Sequence, residues 1–169
     1  MATGDRLKIS GAKASGIVVR RAIVADFPGL KRILLETFES TWQPEITPEA
    51  ARRYIETDVG GRFVDEQGLR FLVAVVDGEV AGMVNWQDDF IDALHVGSAH
   101  QRLGVGRALM GEAEKTIRAA GHDQVRLETD SFNERSQDFY KALGYEEKDR
   151  YPDLEWESDL TTVLFEKKF

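Results

Sequence analysis

Two glycines separated by one residue, Gly104 and Gly106, stand in the stretch 100-HQRLGVGRAL-109. Apolar side chains follow at helical spacing, so the glycines fall in a loop and in the first turn of a helix. The N–H groups at a helix start are free, and the helix dipole favours negative charge there. Glycines allow an anion to approach this backbone, and Arg102 and Arg107 add positive charge beside it. The stretch predicts a seat for a phosphate or pyrophosphate, with a tightly packed loop turn as the alternative.

Three phosphate-binding patterns can be compared with this stretch. A Walker loop requires GxxxxGK[ST], which the chain lacks. A dinucleotide fingerprint requires a third glycine where Leu109 stands, although Glu128 and Asp130 lie at about the right distance for the acidic ribose ligand. The third pattern, [QR]-x-x-G-x-[GA], is met in full from Gln101 to Gly106.

A second group of polar residues lies downstream in the segment NERSQDFYKALGY. Asn133 and Tyr140 are seven residues apart, about two helical turns, so they share one helix face with Ser136 between them. Phe139 and Leu143 form a neighbouring apolar stripe, which leaves Tyr140 on the polar stripe. The amphipathic pattern explains Phe139 and Leu143, but it explains Tyr140 less well, and a tyrosine hydroxyl keeps its proton at neutral pH.

These two motifs, in this order and spacing, resemble those of the GCN5-related N-acetyltransferase (GNAT) superfamily. QRLGVG matches its [QR]-x-x-G-x-[GA] signature, the downstream segment resembles its N-x-x-[SA]-x-x-[FL]-Y-x-x-x-G-[FY] run, and 94-LHV-96 is similar to the end of its fourth strand. The resemblance extends over about residues 17–168. It implies an enzyme that transfers the acetyl group of acetyl-CoA directly to a primary amine of a small molecule or peptide, without a covalent enzyme intermediate.

The resemblance also implies which residues bind the cofactor. In the family, loop amides bind the pyrophosphate, and the exposed backbone of the fourth strand pairs with the pantetheine arm as another strand would. The asparagine of the second motif contacts the cofactor, and its tyrosine protonates the departing CoA thiolate. The implied cofactor-binding set is Leu94, His95, Val96, Gln101, Arg102, Leu103, Gly104, Val105, Gly106, Arg107, Asn133, Ser136 and Tyr140.

An alkylammonium must lose a proton before it can attack a thioester, and a carboxylate could take that proton directly or through water. Asp92 on the fourth strand is the first candidate for this base and Glu128 on the fifth strand is the second. A solvated strand carboxylate is the competing interpretation of each. The side chain of His95 either points at the acceptor pocket or is a hydrogen-bonded histidine of the sheet.

The family's acceptor pocket is bordered by the first two helices and the last strands. Trp42 and Trp156 are the candidate substrate-binding walls, and a packed tryptophan is the alternative interpretation. The acidic residues of the last loop could attract a cationic amine, or they could form a solvated loop; they are Glu155, Glu157 and Asp159. A polyamine, an amino acid, an aminoglycoside and a protein N-terminus all stay open as acceptors.

The elements that must position these residues follow from periodicity, caps and turn signals. Strands are predicted over residues 17–24, 70–76, 80–86, 90–96, 124–130, 145–151 and 161–168. Helices are predicted over 26–38, 47–59, 105–120 and 131–144, with Asp26, Thr47 and Ser131 as N-caps. The order predicts an α/β (α+β) single domain over 17–169 after a flexible lead-in over 1–16. The resemblance implies the GNAT acyl-CoA N-acyltransferase fold, a mixed, mostly antiparallel sheet of about seven strands flanked by about four helices.

Composition narrows the class of protein. The 169 residues carry a formal net charge of −8, which argues against a nucleic-acid partner because phosphate neutralisation needs Lys and Arg. The N-terminus lacks the apolar core of a signal peptide, and no apolar run is long enough to span a bilayer, so a cytoplasmic protein without a membrane partner is expected. There is no cysteine, and His95, His100 and His122 lack metal-ligand spacing, so no metal is expected.

Two other functions stay open at this point. A regulatory or sensor module that binds acyl-CoA without turnover would use the same fold. A nucleotide-binding protein would use Gly104–Gly106 together with Glu128. The resemblance also leaves a homodimer open.

Overall fold

The computed structural model describes residues 16–169, so the predicted lead-in lies, apart from Gly16, outside the described residues. The strands are β1 (Ile17–Arg21), β2 (Leu72–Val76), β3 (Glu79–Gln87), β4 (Phe90–Val96), β5 (Gln124–Asp130), β6 (Glu146–Pro152) and β7 (Thr161–Lys168). The α-helices are α1 (Phe27–Thr37), α2 (Pro48–Glu56), α3 (Val59–Gln67), α4 (Val105–Ala119) and α5 (Glu134–Ala142). A single π-helical turn, Phe38–Trp42, continues α1. The predicted mixed α/β architecture is confirmed.

One continuous sheet has the strand order β1-β2-β3-β4-β5-β7-β6. Each neighbouring pair is antiparallel except β4 and β5, which run parallel. This parallel pairing is limited to Phe90 with Arg126 and Ile91 with Leu127. Beyond those two pairs the strands separate, and we call the opening between residues 92–96 and 128–130 the splay.

Alternation of side chains along the strands divides the core between the two faces of the sheet. On β3, Val84 packs with Leu109 and Ile117 of α4. The preceding Met83 packs on the opposite face against Leu30 of α1 and Val64 of α3. The sheet is therefore covered on both faces, with α4 and α5 on one and α1 and α3 on the other.

An ion pair closes the parallel end of the splay. Asp89, in the turn before β4, accepts hydrogen bonds from Nε and Nη2 of Arg126 at 2.9 and 2.8 Å. The Asp89 carbonyl also accepts from the Arg126 backbone N–H at 2.8 Å. The guanidinium and the side chain of Gln124 hold the pKa of Asp89 at about 2 despite its partial burial. The Asp89–Arg126 pair, which we call the clamp, thus holds the first residues of β4 and β5 together, and the remaining residues of the two strands diverge.

Helix α3 was not predicted, because its sequence VGGRFVDEQ carries two glycines in the first turn. Its N-cap is Asp58, whose carboxylate accepts from the Gly61 N–H at 3.2 Å. A Cβ at Gly61 would lie 2.3 Å from that carboxylate, so the cap requires glycine there. The number of α-helices in the described chain is consequently five.

The predicted caps have different outcomes. Thr47 caps α2, since its hydroxyl accepts from the Ala50 N–H at 3.2 Å. The prediction that Asp26 caps the following helix is wrong, because its carboxylate accepts from the Ile23 N–H at 2.8 Å and pairs with Arg20 at 2.7 Å.

In the part of the chain that is described, no helix is both long and apolar enough to cross a membrane.

Candidate active site

The splay leaves one edge of β4 without a strand partner. Leu94, His95 and Val96 pair on their other side with Val84, Met83 and Gly82 of β3. Within residues 16–169, the backbone groups of β4 that face β5 have no strand pairing beyond Ile91. An unpaired strand edge of this kind can bind an extended ligand through main-chain hydrogen bonds.

The two glycines of the opening motif have separate structural reasons. Gly104 is the N-cap of α4 with φ 87°, in the left-handed region that favours glycine, and a Cβ there would meet nothing within 4 Å. A Cβ at Gly106 would lie 3.1 Å from the ring of Phe139 and 3.6 Å from Val96. Gly106 is therefore needed for packing of α4 against α5 and β4. The open helix start, where an anion could approach, lies at Gly104.

The first turn of helix α5 is joined to β5 by a side-chain hydrogen bond. The side chain of Asn133, and not that of Ser131, caps this helix by accepting from the Ser136 N–H at 3.1 Å. The predicted capping box at Ser131 is therefore wrong. The hydroxyl of Thr129 on β5 donates to the Ser136 hydroxyl at 3.0 Å, which joins the two elements.

Tyr140 lies on the buried face of α5, so its predicted position on a polar stripe is wrong. Only 7% of the residue is exposed, and its ring packs near Tyr145 and Phe165 with centroids 5.8 and 6.2 Å away. Burial raises the pKa of the Tyr140 hydroxyl to about 12, against a smaller opposing effect from Ser136. The phenol therefore carries its proton throughout the neutral range.

A cavity of about 930 Å³ extends from the splay and is bordered by α1, α2, α3 and the segment 151–156. We call it the acceptor cavity. The structure brings five of the predicted residues together along its lining: Trp42, Asp92, His95, Glu128 and Trp156. The other predicted residues are not part of this lining; they are Leu94, Val96, Gln101, Arg102, Leu103, Gly104, Val105, Gly106, Arg107, Asn133, Ser136 and Tyr140. Glu155 lines the cavity, whereas Glu157 and Asp159 do not.

The two predicted base candidates have different environments. Asp92 is an exposed residue at the start of the splay, and partial desolvation of its carboxyl group raises its pKa. Glu128 accepts a hydrogen bond from the Tyr151 hydroxyl, whose pKa is raised to about 12 by burial and by this neighbouring carboxylate. Asp92 is thus the carboxylate of the pair that is free of a protein donor among the described residues.

A third carboxylate of the cavity was missed as a site residue. Asp130, at the end of β5, is 8% exposed and accepts a hydrogen bond from the Trp42 indole N–H at 2.8 Å. Burial raises its pKa to about 6, the negative charges of Asp153 and Glu155 add to this, and the Trp42 hydrogen bond opposes it. The sequence suggested only one role for Asp130, that of an acidic ribose ligand, because of its distance from the glycine motif.

His95 satisfies both interpretations that the sequence left open. Its Nδ1 lies 3.1 Å from the Thr37 hydroxyl, and the ring also lines the acceptor cavity. The Thr37 hydroxyl also lies 3.2 Å from the Leu34 carbonyl, so its one proton can go to either acceptor, and the tautomer of His95 follows from that choice. Burial lowers the pKa of His95 to about 4, so the imidazole is neutral at physiological pH.

Trp42 and Trp156 are packed side chains that also form walls of the cavity. Their ring centroids lie 6.4 Å apart, and Trp156 packs against Phe38 and Tyr54 at 5.9 and 5.5 Å. Glu157 points away from this group and pairs with Arg53 at 3.2 Å on the surface. Residues 16–169 contain no cluster of three His, Cys, Asp or Glu side chains that could hold a metal ion.

Residues 27–145 match the Acetyltransferase (GNAT) family, and the chain therefore belongs to that family of acetyltransferases. An uncharacterized N-acetyltransferase in the pepI 3′ region of Lactobacillus delbrueckii subsp. lactis is 25% identical over 146 residues, which are 77% of this chain and 84% of the relative.

Solved structures show the same fold. PaiA N-acetyltransferase from Thermoplasma acidophilum, in complex with coenzyme A, is 20% identical with a TM-score of 0.71, covering 90% of this chain and 99% of its own. YncA, a putative acetyltransferase from Salmonella typhimurium with its cofactor acetyl-CoA, is 20% identical with a TM-score of 0.69, covering 90% of this chain and 93% of its own.

Proposed function

We propose that this protein transfers the acetyl group of acetyl-CoA directly to a primary amine of a small molecule or peptide. The splay carries the proposal, because it leaves the Leu94–Val96 edge unpaired beside a cavity lined with carboxylates. Membership of the acetyltransferase family supports the reaction class. The coenzyme A and acetyl-CoA bound to the PaiA and YncA structures support the choice of acetyl donor.

The donor would enter from the start of α4. The free N–H groups at Gly104, with the side chains of Arg102 and Arg107, suit a pyrophosphate. The remaining residues of the loop, Gln101, Leu103, Val105 and Gly106, would contribute backbone or packing contacts. A pantetheine arm that leaves this loop and pairs with Val96 and Leu94 runs back along β4, so its thioester is directed toward Asp92.

Each proton of the reaction then has a proposed place. The ammonium form of the amine first gives one proton to Asp92, directly or through water, and the neutral nitrogen attacks the thioester carbonyl carbon. The C–N bond forms as the C–S bond breaks, the Tyr140 hydroxyl protonates the departing thiolate, and the second nitrogen proton leaves through water and restores the Tyr140 hydroxyl. Neutral His95 can orient the amine without adding a competing positive charge. Glu128 is the second candidate base.

A panel of amines tests the reaction. Acetyl-CoA is incubated with the protein and with alkylamines, amino acids, aminoglycosides and peptides, and free CoA is measured with a thiol reagent. The expected result is amine-dependent CoA release with a matching N-acetylated product. Strong binding of acetyl-CoA without turnover across the panel would contradict the proposal and favour an acyl-CoA sensor. The nucleotide-binding alternative requires a preference for NAD or ATP over CoA in a parallel titration.

A further inference from the structure

The acceptor cavity has a large excess of negative charge. Its acidic lining residues are Glu66, Asp92, Glu128, Asp130, Asp153 and Glu155. Arg70 is the only Lys or Arg in the lining, and His95 is neutral. Within the described part of the chain, none of the six acidic side chains forms a salt bridge. A cluster of this kind attracts cations, although its charge alone does not define a ligand.

Two buried polar side chains of the cavity add a separate observation. Asn85 on β3 is 5% exposed and lines the cavity, yet its side-chain amide has no hydrogen-bond partner among residues 16–169. Asp130 is 8% exposed and receives the Trp42 N–H on Oδ2, and its carboxyl group is also within hydrogen-bonding range of the Asp153 carboxyl group, which brings a second acid and not a cation. The polar groups of buried residues are normally paired, and a buried carboxylate without a neighbouring cation is costly. Both side chains are therefore suited to a hydrogen-bonding, positively charged ligand.

The tryptophan side chains beside Asp130 can contact the apolar part of such a ligand. Trp42 donates to Asp130 and its ring centroid lies 6.4 Å from that of Trp156. Indole faces attract ammonium groups and also pack against methylene chains. A flexible apolar chain with an ammonium at its end would satisfy the aromatic walls and the carboxylate together.

We propose that the acceptor is a linear diamine or polyamine, with one nitrogen acetylated near Asp92 and a distal ammonium bound by Asp130 beside Trp42 and Trp156. This inference rests on the proposed function and names its substrate class. The distal ammonium keeps its charge and its protons throughout, while the reacting nitrogen gains the acetyl group from sulfur and loses two protons, the first to Asp92 and the second through water to the Tyr140 phenolate. Asp153 and Glu155 add negative charge around the distal site. An α-amino acid would bring a carboxylate into this field and is disfavoured.

The test compares amines that differ only in the distal charge. Values of kcat/KM are measured for 1,4-diaminobutane and 1,5-diaminopentane and for n-butylamine and n-pentylamine, at saturating acetyl-CoA. The wild-type protein is expected to prefer each diamine over its matched monoamine by about tenfold or more, mainly through KM. Asp130→Asn should reduce this ratio to about threefold or less and leave kcat/KM for the monoamines nearly unchanged. A purely structural defect would lower both classes of substrate equally.

Glu157→Gln provides the matched control, because it removes a nearby surface charge that does not line the cavity. It should leave the diamine preference unchanged. Asp153→Asn, at a residue outside the buried core, repeats the test if Asp130→Asn fails to fold, and it should also lower the ratio.

Equal use of diamines and monoamines by the wild-type protein would overturn the inference and leave the amine acetyltransferase function standing. An unchanged ratio in both Asp130→Asn and Asp153→Asn would overturn it as well. Binding of acetyl-CoA with no turnover of any amine would instead overturn the proposed function, and the substrate assignment with it.

Discussion

Burial changes the ionisation of three site residues in ways that suit acyl transfer. It holds His95 neutral with a pKa of about 4 and raises the pKa of Tyr140 to about 12. It also raises the pKa of Asp130 to about 6, because no cation of the described chain compensates its charge. At neutral pH these groups are an uncharged hydrogen-bond acceptor, a protonated phenol and a carboxylate.

Tyr140→Phe tests the proposed general acid. Removal of the hydroxyl should lower kcat by about 100-fold, because the thiolate then departs without a proton donor. The dissociation constant of acetyl-CoA should change by less than about twofold, since the aromatic packing is kept. Rapid-quench kinetics and calorimetric titration measure the two quantities.

Tyr145→Phe is the matched control, because this tyrosine is buried in the same cluster and donates its hydroxyl to Glu114 at 2.8 Å. It should reduce stability and leave kcat nearly unchanged. An unaltered kcat in Tyr140→Phe would remove Tyr140 from the proton transfer.

Asp130→Asn should stabilise the free protein at high pH. The unfolded carboxyl group ionises near its ordinary pKa of 3.8 and the folded one near 6, so this residue makes folding less favourable as the pH rises between those values. Asparagine keeps an acceptor for Trp42 and removes the charge, which raises the free energy of unfolding by up to about 3 kcal/mol at pH 7.5. Urea denaturation at pH 7.5 and at pH 4 measures the difference, which should fall to about 0.6 kcal/mol at pH 4. Destabilisation at pH 7.5 would show that favourable contacts already compensate the carboxylate.

The environment of Asp130 could not be predicted from the sequence, whereas two other carboxylates of the cavity could be selected from it. Asp92 and Glu128 could be selected because they lie on the two strands that flank the expected cofactor. The environment of Asp130 depends on Trp42, which is 88 residues away along the chain. Tyr140 was selected through its motif, although the helical pattern assigned it to the wrong stripe. Its burial comes from packing against β7, which periodicity within one helix does not report.

Among the secondary-structure elements, the start of α4 requires glycine at two positions for different reasons: Gly104 has a positive φ, and Gly106 packs closely against Phe139. Gly104→Val should raise the dissociation constant of acetyl-CoA by at least about tenfold, since φ 87° is unfavourable for valine and the side chain projects over the helix start. Equilibrium titration measures the change. Gly111→Ala is the control, because it lies inside the same helix in open space and should gain about 0.5–1 kcal/mol of stability without affecting affinity. Unchanged affinity in Gly104→Val would separate this turn from the cofactor.

The clamp at Asp89 should determine where β4 and β5 begin to separate. Asp89→Asn is expected to cost about 1 kcal/mol at pH 7, a modest value because Arg126 is 40% exposed. Because the pKa of Asp89 is lowered to about 2, this stabilisation is complete above its ordinary pKa of 3.8 and declines as the pH falls toward 2. Hydrogen exchange should also accelerate at the Arg126 amide.

Asp88→Asn is the comparison, since the neighbouring residue has φ 54°, which asparagine tolerates, and makes no ion pair in the described chain. Equal exchange at the Arg126 amide in the two variants would contradict the clamp.

Elements with strong local signals were predicted well. The bounds of β4, β5 and β7 agree with the prediction, and the other strands shift by one to three residues. Helix α3 was missed because Gly60 and Gly61 weaken the helical signal, and the explanation of Gly61 is a cap visible only in three dimensions. At α5 the predicted cap was Ser131, whereas the side chain of Asn133, two residues later, accepts the hydrogen bond from the Ser136 N–H.

For the whole molecule, the sheet brings together residues that are distant in sequence. The splay lies near the middle of the strand order, where the only parallel pair occurs, and both faces of the sheet are covered by helices. The order of elements predicted a mixed α/β domain, and the family resemblance implied a mostly antiparallel sheet with an exposed backbone on the fourth strand. The lining of the cavity, which combines α1, α2, α3, β3, β4, β5 and the segment 151–156, required the structure.

A single-turnover experiment tests the proposed acetyl transfer most directly. The protein, in excess over acetyl-CoA, is mixed with an amine acceptor, quenched at intervals and examined by mass spectrometry for acetylated amine, intact thioester and acetylated protein. Direct transfer predicts that the N-acetyl amine forms as fast as the thioester disappears, with no acetylated protein at any time. Intact thioester throughout, or an acetyl group found first on the protein, would contradict it.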